Sequence, residues 1–381
     1  MSGEARRKVP LLPGEFAPSF RAPALQGNPN YVFDTSAGRP ILMLFFGSAA
    51  NPLCREALDL AAAHRPLFDD ATACFFGVTI DPEDAARRRI VPQLPGFRFL
   101  LDYDRAVSMA YGAAPEAEEP QSYRPHWLVL DHTLQVAGAY AIRDGARAIA
   151  HLEQLRAEPL DGLWAPVLQV PRVFEPELCR RLIDLYERNG GAESGFMREV
   201  DGKTVYMTDA THKRRRDYTI EDERLRRALV GRINSRLVPR VRHAFQYSAT
   251  RIERHIVACY DGESGGYFRP HRDNTTKGTA HRRFAVTINL NAEEYEGGEL
   301  RFPEYGPRAY RAPTGGAIVF SCSMLHEALP VRRGRRYAYL PFLYDEEGAK
   351  LREANSIYLA DGVQSYRAAT LPIEEETTAT A

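Results

Sequence analysis

The pattern of strand and helix signals changes once along this chain, near residue 160, and this change restricts the folds open to it. Before that point, short apolar runs alternate with segments of helical spacing, which is typical of an α/β sandwich with a mostly parallel centre. After residue 240, many short strand-like runs are separated by glycine and proline, which favours an α+β double-stranded β-helix (jelly roll) with supporting helices. We therefore predict two domains, residues 1–158 and 167–362, with a linker over 159–166 and a disordered tail over 363–381.

The first domain begins with a strong strand signal at Ile41–Phe46, six consecutive apolar residues expected of a strand buried on both faces. Asn51 and Pro52 follow as a helix start, and residues 56–68 continue with helical spacing. The remaining elements of this domain are predicted as strands over 74–80, 98–101, 127–130 and 136–142, a helix capped by residues 81–84, and a closing helix over 146–156.

Overall composition excludes several classes of function. Fifty basic residues balance fifty acidic ones, so charge gives no indication of a nucleic-acid partner. No run of eighteen apolar residues predicts a membrane span, and the first ten residues lack the apolar segment of a secretory signal. The five cysteines have neither zinc nor disulfide spacing, which favours a reducing cytoplasm.

The second half contains one dense charged run, Lys213–Asp217, ahead of a predicted helix over 221–237. Such a run is usually a solvated face, and we expect that here. Contact with an acidic substrate is the alternative.

The chemistry of the second half is concentrated just past a glycine-rich turn, where His271 and Asp273 stand two residues apart. Residues i and i+2 of an extended segment project from the same side, so both side chains can reach one metal ion. His326 lies 55 residues further on and can complete two-histidine, one-carboxylate ligation. That donor set is typical of non-heme Fe(II) oxygenases.

Residues 166–346 resemble the prolyl 4-hydroxylase group of Fe(II)/2-oxoglutarate dioxygenases. The matching pieces occur in the family's order: Val257–Tyr260, His271–Asn274, Thr287–Asn291, Glu296–Leu300, His326–Val331 and Gly334–Arg336. The resemblance implies Fe(II) held by His271, Asp273 and His326, with 2-oxoglutarate and O2 as cosubstrates and succinate and CO2 as products. It also implies ascorbate as an accessory.

The same resemblance points to residues that hold 2-oxoglutarate. Its distal carboxylate needs a cation, and a guanidinium supplies a bidentate clamp. Adjacent strand residues face opposite ways, and Arg336 shares its face with small and apolar residues, so Arg336 is the candidate and Arg335 the fallback. Tyr260 matches a cosubstrate-contacting tyrosine, and Thr287 and Asn289 form the face of their strand that we expect to line the pocket.

Cys54 lies in the first turn of the predicted helix, where the helix dipole favours a thiolate of lowered pKa. Residues 10–157 resemble the thioredoxin-like peroxiredoxin family, which implies Cys54 as the peroxidatic cysteine and Arg124 as its partner. The loop before Cys54 departs from the family, because Gly47 replaces a proline and Asn51 replaces a hydroxyl residue. Two interpretations stay open: a working thiol, or a docking or homodimerisation module with Cys54 as a packed thiol.

Taken together, these patterns predict a dioxygenase that hydroxylates a C–H bond. A prolyl or other side chain of a protein or peptide is one substrate class, and a small metabolite is another. The main alternative is a thiol peroxidase acting through Cys54, with the oxygenase domain sensing iron or oxygen. A binding module with both sites inactive is the third possibility.

Overall fold

The computed structural model describes residues 11–25, 28–91, 93–115, 123–160 and 163–363. By internal contacts the chain divides into two compact units, Met1–Leu163 with Pro303–Gly306, and Trp164–Phe302 with Pro307–Ala381. The predicted disordered tail falls almost entirely outside the described residues. Within them, no helix has the length and apolar character needed to cross a membrane.

Over its described residues, the first unit contains a five-stranded sheet, a short hairpin and four α-helices. Its strands are β1 (Arg21–Ala22), β2 (Tyr31–Val32), β3 (Ile41–Gly47), β4 (Cys74–Thr79), β5 (Phe97–Leu101), β6 (His126–Leu130) and β7 (Val136–Ala141). Its α-helices are α1 (Pro52–Ala63), α2 (Pro82–Ala86), α3 (Ala106–Ala110) and α4 (Gly145–Ala157).

The main sheet of this unit has the strand order β5-β4-β3-β6-β7. Pairs β3–β4 and β4–β5 are parallel, whereas β3–β6 and β6–β7 are antiparallel. The prediction of a mostly parallel centre was therefore wrong for half of the sheet. Residues 131–135 join β6 to β7 by a tight turn, and so short a connection allows only antiparallel pairing.

The second unit has eighteen strands and four α-helices among its described residues. Its helices are α5 (Pro176–Asn189), α6 (Glu223–Arg232), α7 (Val238–Phe245) and α8 (Glu346–Ala354), with a π-helical stretch, Ile233–Leu237, between α6 and α7. Its strands are β8 (Leu168–Val170), β9 (Ala192–Glu193), β10 (Phe196–Val200), β11 (Lys203–Met207), β12 (Lys213–Arg214), β13 (Arg216–Thr219), β14 (Arg251–Glu253), β15 (Ile256–Asp261), β16 (Tyr267–His271), β17 (Phe284–Asn289), β18 (Glu296–Gly297), β19 (Leu300–Arg301), β20 (Ala309–Tyr310), β21 (Ala317–Ser321), β22 (His326–Ala328), β23 (Val331–Arg333), β24 (Arg335–Tyr339) and β25 (Phe342–Tyr344).

Two sheets dominate this unit. The larger follows the order β14-β25-β17-β24-β15-β13-β9, with β21 pairing with β17 and β8, and the smaller follows β12-β16-β22-β19-β20. One face of the larger sheet packs against α5, α6 and α7 through a core that includes Leu182, Leu229 and Tyr339. A second apolar cluster joins its other face to the smaller sheet, through residues such as Ala258 and Phe268. Alternate residues of β15, β17 and β24 therefore face the space between the sheets.

The charged run Lys213–Asp217 is not the solvated face that we predicted. It forms β12 and the start of β13, and its side chains alternate with the period of a strand. Lys213 and Arg215 are buried, whereas Arg214 and Arg216 are exposed. The hairpin β10–β11 and helix α8 were also missed by sequence reasoning.

Candidate metal centre and active site

The two histidines of the predicted metal site are neighbours because β16 pairs with β22. His271 and His326 are direct cross-strand partners, next to an irregularity that begins after Phe268. Their ring centroids lie 4.3 Å apart. Antiparallel pairing thus closes the 55-residue gap between them. Asp273 follows His271 by two residues and joins the same group, whose nitrogen and oxygen donor atoms all lie within 4.8 Å of one another.

Backbone carbonyls fix the orientation of both imidazoles. The Nδ1 of His271 lies 2.8 Å from the carbonyl oxygen of Arg269, and the Nδ1 of His326 lies 3.1 Å from that of Met324. A carbonyl oxygen can only accept, so each Nδ1 carries the proton and donates it. Each Nε2 therefore presents a lone pair to the centre of the group, which is the tautomer that a metal requires.

Asp273 completes the donor set. Its Oδ1 lies 3.7 Å from the Nε2 of His271, and its Oδ2 lies 3.3 Å from the Nε2 of His326. Bonds of about 2.1 Å to a metal separate neighbouring octahedral donors by about 3 Å, so small adjustments bring all three atoms onto one ion. Burial would raise the pKa of Asp273, but a proton on the Nε2 of His326, whose place a metal ion would take, outweighs burial and holds this pKa below its ordinary value. The residues present fit Fe(II).

A buried ion pair supports the backbone of the Asp273 segment. The Arg282 guanidinium donates to the carbonyl oxygen of Asp273 at 3.3 Å and is paired with Glu253 at 2.7 Å. The Nε2 of His281 lies 2.7 Å from the same carboxylate. His281 and Arg282 therefore help to hold the Asp273 segment in place and are not metal-donor residues themselves.

Arg335 and Arg336 face opposite ways, as strand alternation predicts. The Arg335 side chain is 48% exposed and pairs with Asp261 at 3.0 Å. Arg336 is only 2% exposed, and its Nε and Nη1 have no hydrogen-bond partner. Gly298, at a φ of +70°, leaves space for this side chain, because an added Cβ would lie 3.1 Å from its Cδ. A buried guanidinium with two unused donors is a ready site for an anion.

The other predicted pocket residues lie on the same inner face as Arg336. Tyr260 is the direct cross-strand partner of Arg336, and the Arg336 guanidinium lies 4.9 Å from its ring centroid. Asn289 is the partner of Ala338 and donates to the carbonyl oxygen of Ala312 at 2.7 Å, while its Oδ1 has no partner. Thr287 is two residues away on the same face and is buried.

Sequence reasoning missed a second group of buried charges on this face. Arg215 pairs with Asp217 at 2.6 Å and donates to the Tyr260 hydroxyl at 3.3 Å. The Lys213 ammonium donates to Ser194 at 2.8 Å. Burial and the charge of Arg215 lower the pKa of Lys213 well below its ordinary value. The sequence did contain a signal for this burial. Lys213, Arg215 and Asp217 alternate with the period of a strand, so they project from the same side and Asp217 can pair with Arg215.

The environment of Cys54 differs from that of a reactive thiol. Cys54 lies in the first turn of α1 as predicted, but its side chain is buried. The Asn51 side chain accepts hydrogen bonds from the backbone N–H groups of Leu53 and Cys54, so the donors at the helix start are already used. Burial, followed by the charge of Asp84, raises the pKa of Cys54 to about 11. The expectation of a lowered pKa was therefore wrong.

Arg124 is also not among the groups that influence the Cys54 thiol. The Arg124 side chain is exposed and makes no hydrogen bond or ion pair with any residue that the structure describes. The ring of Tyr123 instead covers the loop, because a Cβ added to Gly47 would lie 2.7 Å from it. A cavity of 410 Å³ opens beside this ring, and Cys54 does not line it.

Comparison with known families decides what these two units are. Residues 255–344 match the family model of the 2OG-Fe(II) oxygenase superfamily, and residues 13–139 match that of the AhpC/TSA family. The first unit thus contains an AhpC/TSA-like segment, and the second unit contains a 2OG-Fe(II) oxygenase-like segment. Both resemblances inferred from the sequence are confirmed. The three candidate metal ligands, Tyr260 and Arg336 all lie within the oxygenase match.

Similar proteins match only part of this chain. Over 89 residues the chain is 36% identical to a PKHD-type hydroxylase of Synechococcus sp. (strain JA-2-3B'a(2-13)), which is 22% of this chain and 39% of that protein. Over 129 residues it is 28% identical to a PKHD-type hydroxylase of Nitrosomonas europaea, which is 31% of this chain and 54% of that protein. The chain thus spans between two fifths and about half of the length of these relatives.

Solved structures similar to the chain include two prolyl hydroxylases. A Pseudomonas putida prolyl-4-hydroxylase is 18% identical with a TM-score of 0.38, covering 49% of this chain and 95% of that one. A Trichoplax adhaerens prolyl hydroxylase, solved with a peptide fragment of the hypoxia inducible factor oxygen degradation domain, is 19% identical with a TM-score of 0.37, covering 49% and 86%.

Proposed function

We propose that residues 167–362 form an Fe(II)- and 2-oxoglutarate-dependent dioxygenase domain, folded as a double-stranded β-helix, that hydroxylates a C–H bond and releases succinate and CO2. The observation that carries the proposal is that two oriented imidazoles and one carboxylate converge at the smaller sheet, while the larger sheet buries the Arg336 guanidinium on the side that faces it. A metal site and an anion site that open onto the same space between the sheets are what the cosubstrate requires.

His271, Asp273 and His326 would hold the metal, with the other coordination positions open. Bound Fe(II), together with 2-oxoglutarate and O2, supplies the oxidative decarboxylation that drives hydroxylation. The protein supplies orientation: the carbonyl oxygens of Arg269 and Met324 hold both Nε2 lone pairs toward one point. The Arg282–Glu253 pair supports the Asp273 segment, so the donor set is preorganised.

Arg336 would bind the distal carboxylate of 2-oxoglutarate through its two unused donors, and Tyr260, Thr287 and Asn289 would line the pocket. The exposed Arg335 is already paired with Asp261, which removes it as the fallback clamp in this proposal. Burial strengthens the Arg336 interaction, because no water competes for the guanidinium.

For the substrate we propose a prolyl or other side chain of a protein or peptide, with a small metabolite as the second class. The relatives named as hydroxylases support hydroxylation as the reaction. Ascorbate as an accessory, homodimerisation through residues 1–158 and a cytoplasmic location are retained as predictions from the sequence. Nucleic acid is not among the proposed partners, in keeping with the balanced charge of the chain.

The test is formation of succinate from 2-oxoglutarate by the full chain, with Fe(II) and without it. We expect Fe(II)-dependent turnover in the natural chain and its loss in His271→Ala. The matched control is His243→Ala, which removes an exposed histidine of α7 far along the chain from the donor set. That control should retain full turnover.

Unchanged succinate formation in His271→Ala would contradict the proposal. So would turnover in the natural chain that survives complete removal of divalent metal by a chelator. Consumption of peroxide that persists in His271→Ala but disappears in Cys54→Ser would instead support a thiol peroxidase.

A further inference from the structure

The buried charges beside Tyr260 form one continuous network. Asp217 binds Arg215 with both carboxylate oxygens, to Nε at 2.7 Å and to Nη2 at 2.6 Å. The Ser194 hydroxyl donates to Asp217 at 2.5 Å and accepts from Lys213 at 2.8 Å. The remaining terminal nitrogen of Arg215, Nη1, donates to the Tyr260 hydroxyl at 3.3 Å. The network therefore ends on a residue of the cosubstrate pocket.

The direction of this last hydrogen bond is fixed by chemistry. A guanidinium has five donors and no acceptor, so the Tyr260 oxygen must accept from Arg215. The phenol proton is then free to be donated elsewhere. Among the residues that the structure describes, none accepts it. Arg336, the cross-strand neighbour, cannot accept it either, because it too is only a donor.

The Tyr260 proton and the Nε and Nη1 atoms of Arg336 thus lie beside each other without a carboxylate partner among the described residues, and the nearby Tyr295 hydroxyl is a neutral group that also lacks a hydrogen bond. A carboxylate is acceptor-only and can take all three hydrogen bonds. The geometry points to Arg215 as a positioning residue: by donating to Tyr260, it commits the phenol proton to the distal carboxylate of 2-oxoglutarate. This inference rests on the proposed function.

A purely structural role explains the network less well. Burying an ion pair commonly stabilises a fold no better than apolar residues of the same volume would. Arg215 is nevertheless almost fully buried, with a side chain 3% exposed, and its charge is matched by a bidentate aspartate. The bidentate pairing holds the Nη1 donor of Arg215 in one place. Such a fixed donor is needed to orient the Tyr260 hydroxyl, whereas simple packing of the core does not need it.

The experiment measures the Kd of 2-oxoglutarate by isothermal titration of the anaerobic, Fe(II)-loaded full chain. In the paired variant Arg215→Met/Asp217→Leu, which removes both members of the Arg215–Asp217 ion pair, we expect Kd to rise about tenfold, the loss of one charge-assisted hydrogen bond. Tyr260→Phe should raise it by a similar factor. A variant that combines the paired substitution with Tyr260→Phe should have the same Kd as Tyr260→Phe alone, because both changes remove the same hydrogen bond to the carboxylate. The exposed neighbour variant Arg216→Met should leave Kd unchanged.

Arg215→Lys provides a second measurement if the paired variant does not fold. It keeps the charge beside Asp217 but loses the fork that reaches Tyr260, so Kd should again rise while Fe(II) affinity is retained. An unchanged Kd in both Arg215 variants, or effects of Arg215 and Tyr260 that multiply, would overturn the inference. Absence of Fe(II)-dependent succinate formation in the natural chain would instead overturn the proposed function, so the two failures are distinguishable.

Discussion

The two units each present one sequence-predicted reactive group, and their surroundings differ in a consistent way. Around His271 and Arg336, buried polar atoms are oriented but not satisfied: two Nε2 atoms face one point, and a buried guanidinium has two donors without partners. Around Cys54, the nearby polar groups are already used. Asn51 binds the N–H groups at the start of α1, and Asp84 binds the backbone N–H of Ala49.

This difference distinguishes the His271 and Arg336 site, which has polar groups available for a ligand, from the Cys54 loop, which has the position of a reactive site but no such groups. Buried polar groups in proteins are nearly always hydrogen-bonded, so those left without partners indicate where a ligand completes the structure. The Cys54 loop lacks that property, and its thiol has a raised pKa. The comparison therefore favours the packed-thiol interpretation of the first unit and supports the proposed chemistry in the second.

The largest expected effect comes from breaking the donor set while sparing the thiol. His326→Ala should weaken Fe(II) binding at least about 100-fold, since loss of even an outer partner of a metal ligand costs about 10–100-fold. Cys54→Ser should leave Fe(II) affinity and succinate formation unchanged. The measurement is anaerobic titration of Fe(II) into both variants. Equal Fe(II) affinities in His326→Ala and Cys54→Ser would contradict the assignment of His326 as a metal ligand.

The next effect concerns the buried cation. Arg336→Met should raise the KM for 2-oxoglutarate by roughly 10–150-fold, because a hydrogen bond to a charged group contributes about 1.5–3 kcal/mol. The matched control is Arg335→Met, whose side chain is 48% exposed and which should change KM little. Steady-state assays of succinate formation check this. A larger effect at Arg335 than at Arg336 would mean that the clamp has been assigned to the wrong residue.

Much of this site could be predicted because its signals are local. The spacing of His271 and Asp273 and the alternation of residues along β17 and β24 depend only on neighbouring positions. The burial of Lys213 and Arg215 could not be predicted in the same way. A charged run resembles a solvated surface until the pairing of β13 with β15 puts Asp217 opposite Ala258, on the inner face.

The direction of the Cys54 pKa shift also could not be predicted, because it depends on residues that are distant in the sequence. The position of Cys54 in the first turn of α1 follows from Asn51 and Pro52, which are adjacent in sequence. The charge of Asp84, thirty residues later, and the ring of Tyr123 reach the loop only in the folded chain. Local sequence therefore located the thiol correctly and gave the wrong direction for its pKa.

A reactivity measurement sharpens the comparison at the thiol. With a pKa of about 11, Cys54 should be alkylated by iodoacetamide slowly at neutral pH, and the rate should rise up to about pH 11 without levelling off near pH 7. Tyr123→Ala should speed the reaction several-fold by uncovering the loop. Mass spectrometry of the Cys54 peptide from the folded chain gives the rates. A plateau below pH 7 would identify an activated thiolate and break the comparison.

The smallest effect tests whether the first unit behaves as a scaffold stabilised by its own ion pairs. Asp70 binds Arg98 with both carboxylate oxygens, at 2.5 and 2.6 Å. Burial raises the pKa of Asp70, but Arg98 outweighs it and lowers this pKa to about 2. Asp70→Asn should therefore reduce the free energy of unfolding at neutral pH, by about 0.5–1 kcal/mol for a partly exposed pair. Asparagine also tolerates the φ of +68° at this position, so the substitution removes the charge and one acceptor oxygen without adding backbone strain.

The sign of the pH dependence makes this last prediction specific. A lowered carboxyl pKa stabilises the folded state above the ordinary value of 3.8, and this contribution is lost as the pH falls through about 2. The difference between the natural chain and Asp70→Asn should therefore shrink below about pH 4. Trp127 is fully buried in the first unit and Trp164 is 68% exposed in the second, so a Trp164→Phe background makes Trp127 fluorescence report the first unit alone. A difference that grows toward low pH, or a loss of succinate formation at neutral pH, would show that Asp70 does more than stabilise a scaffold.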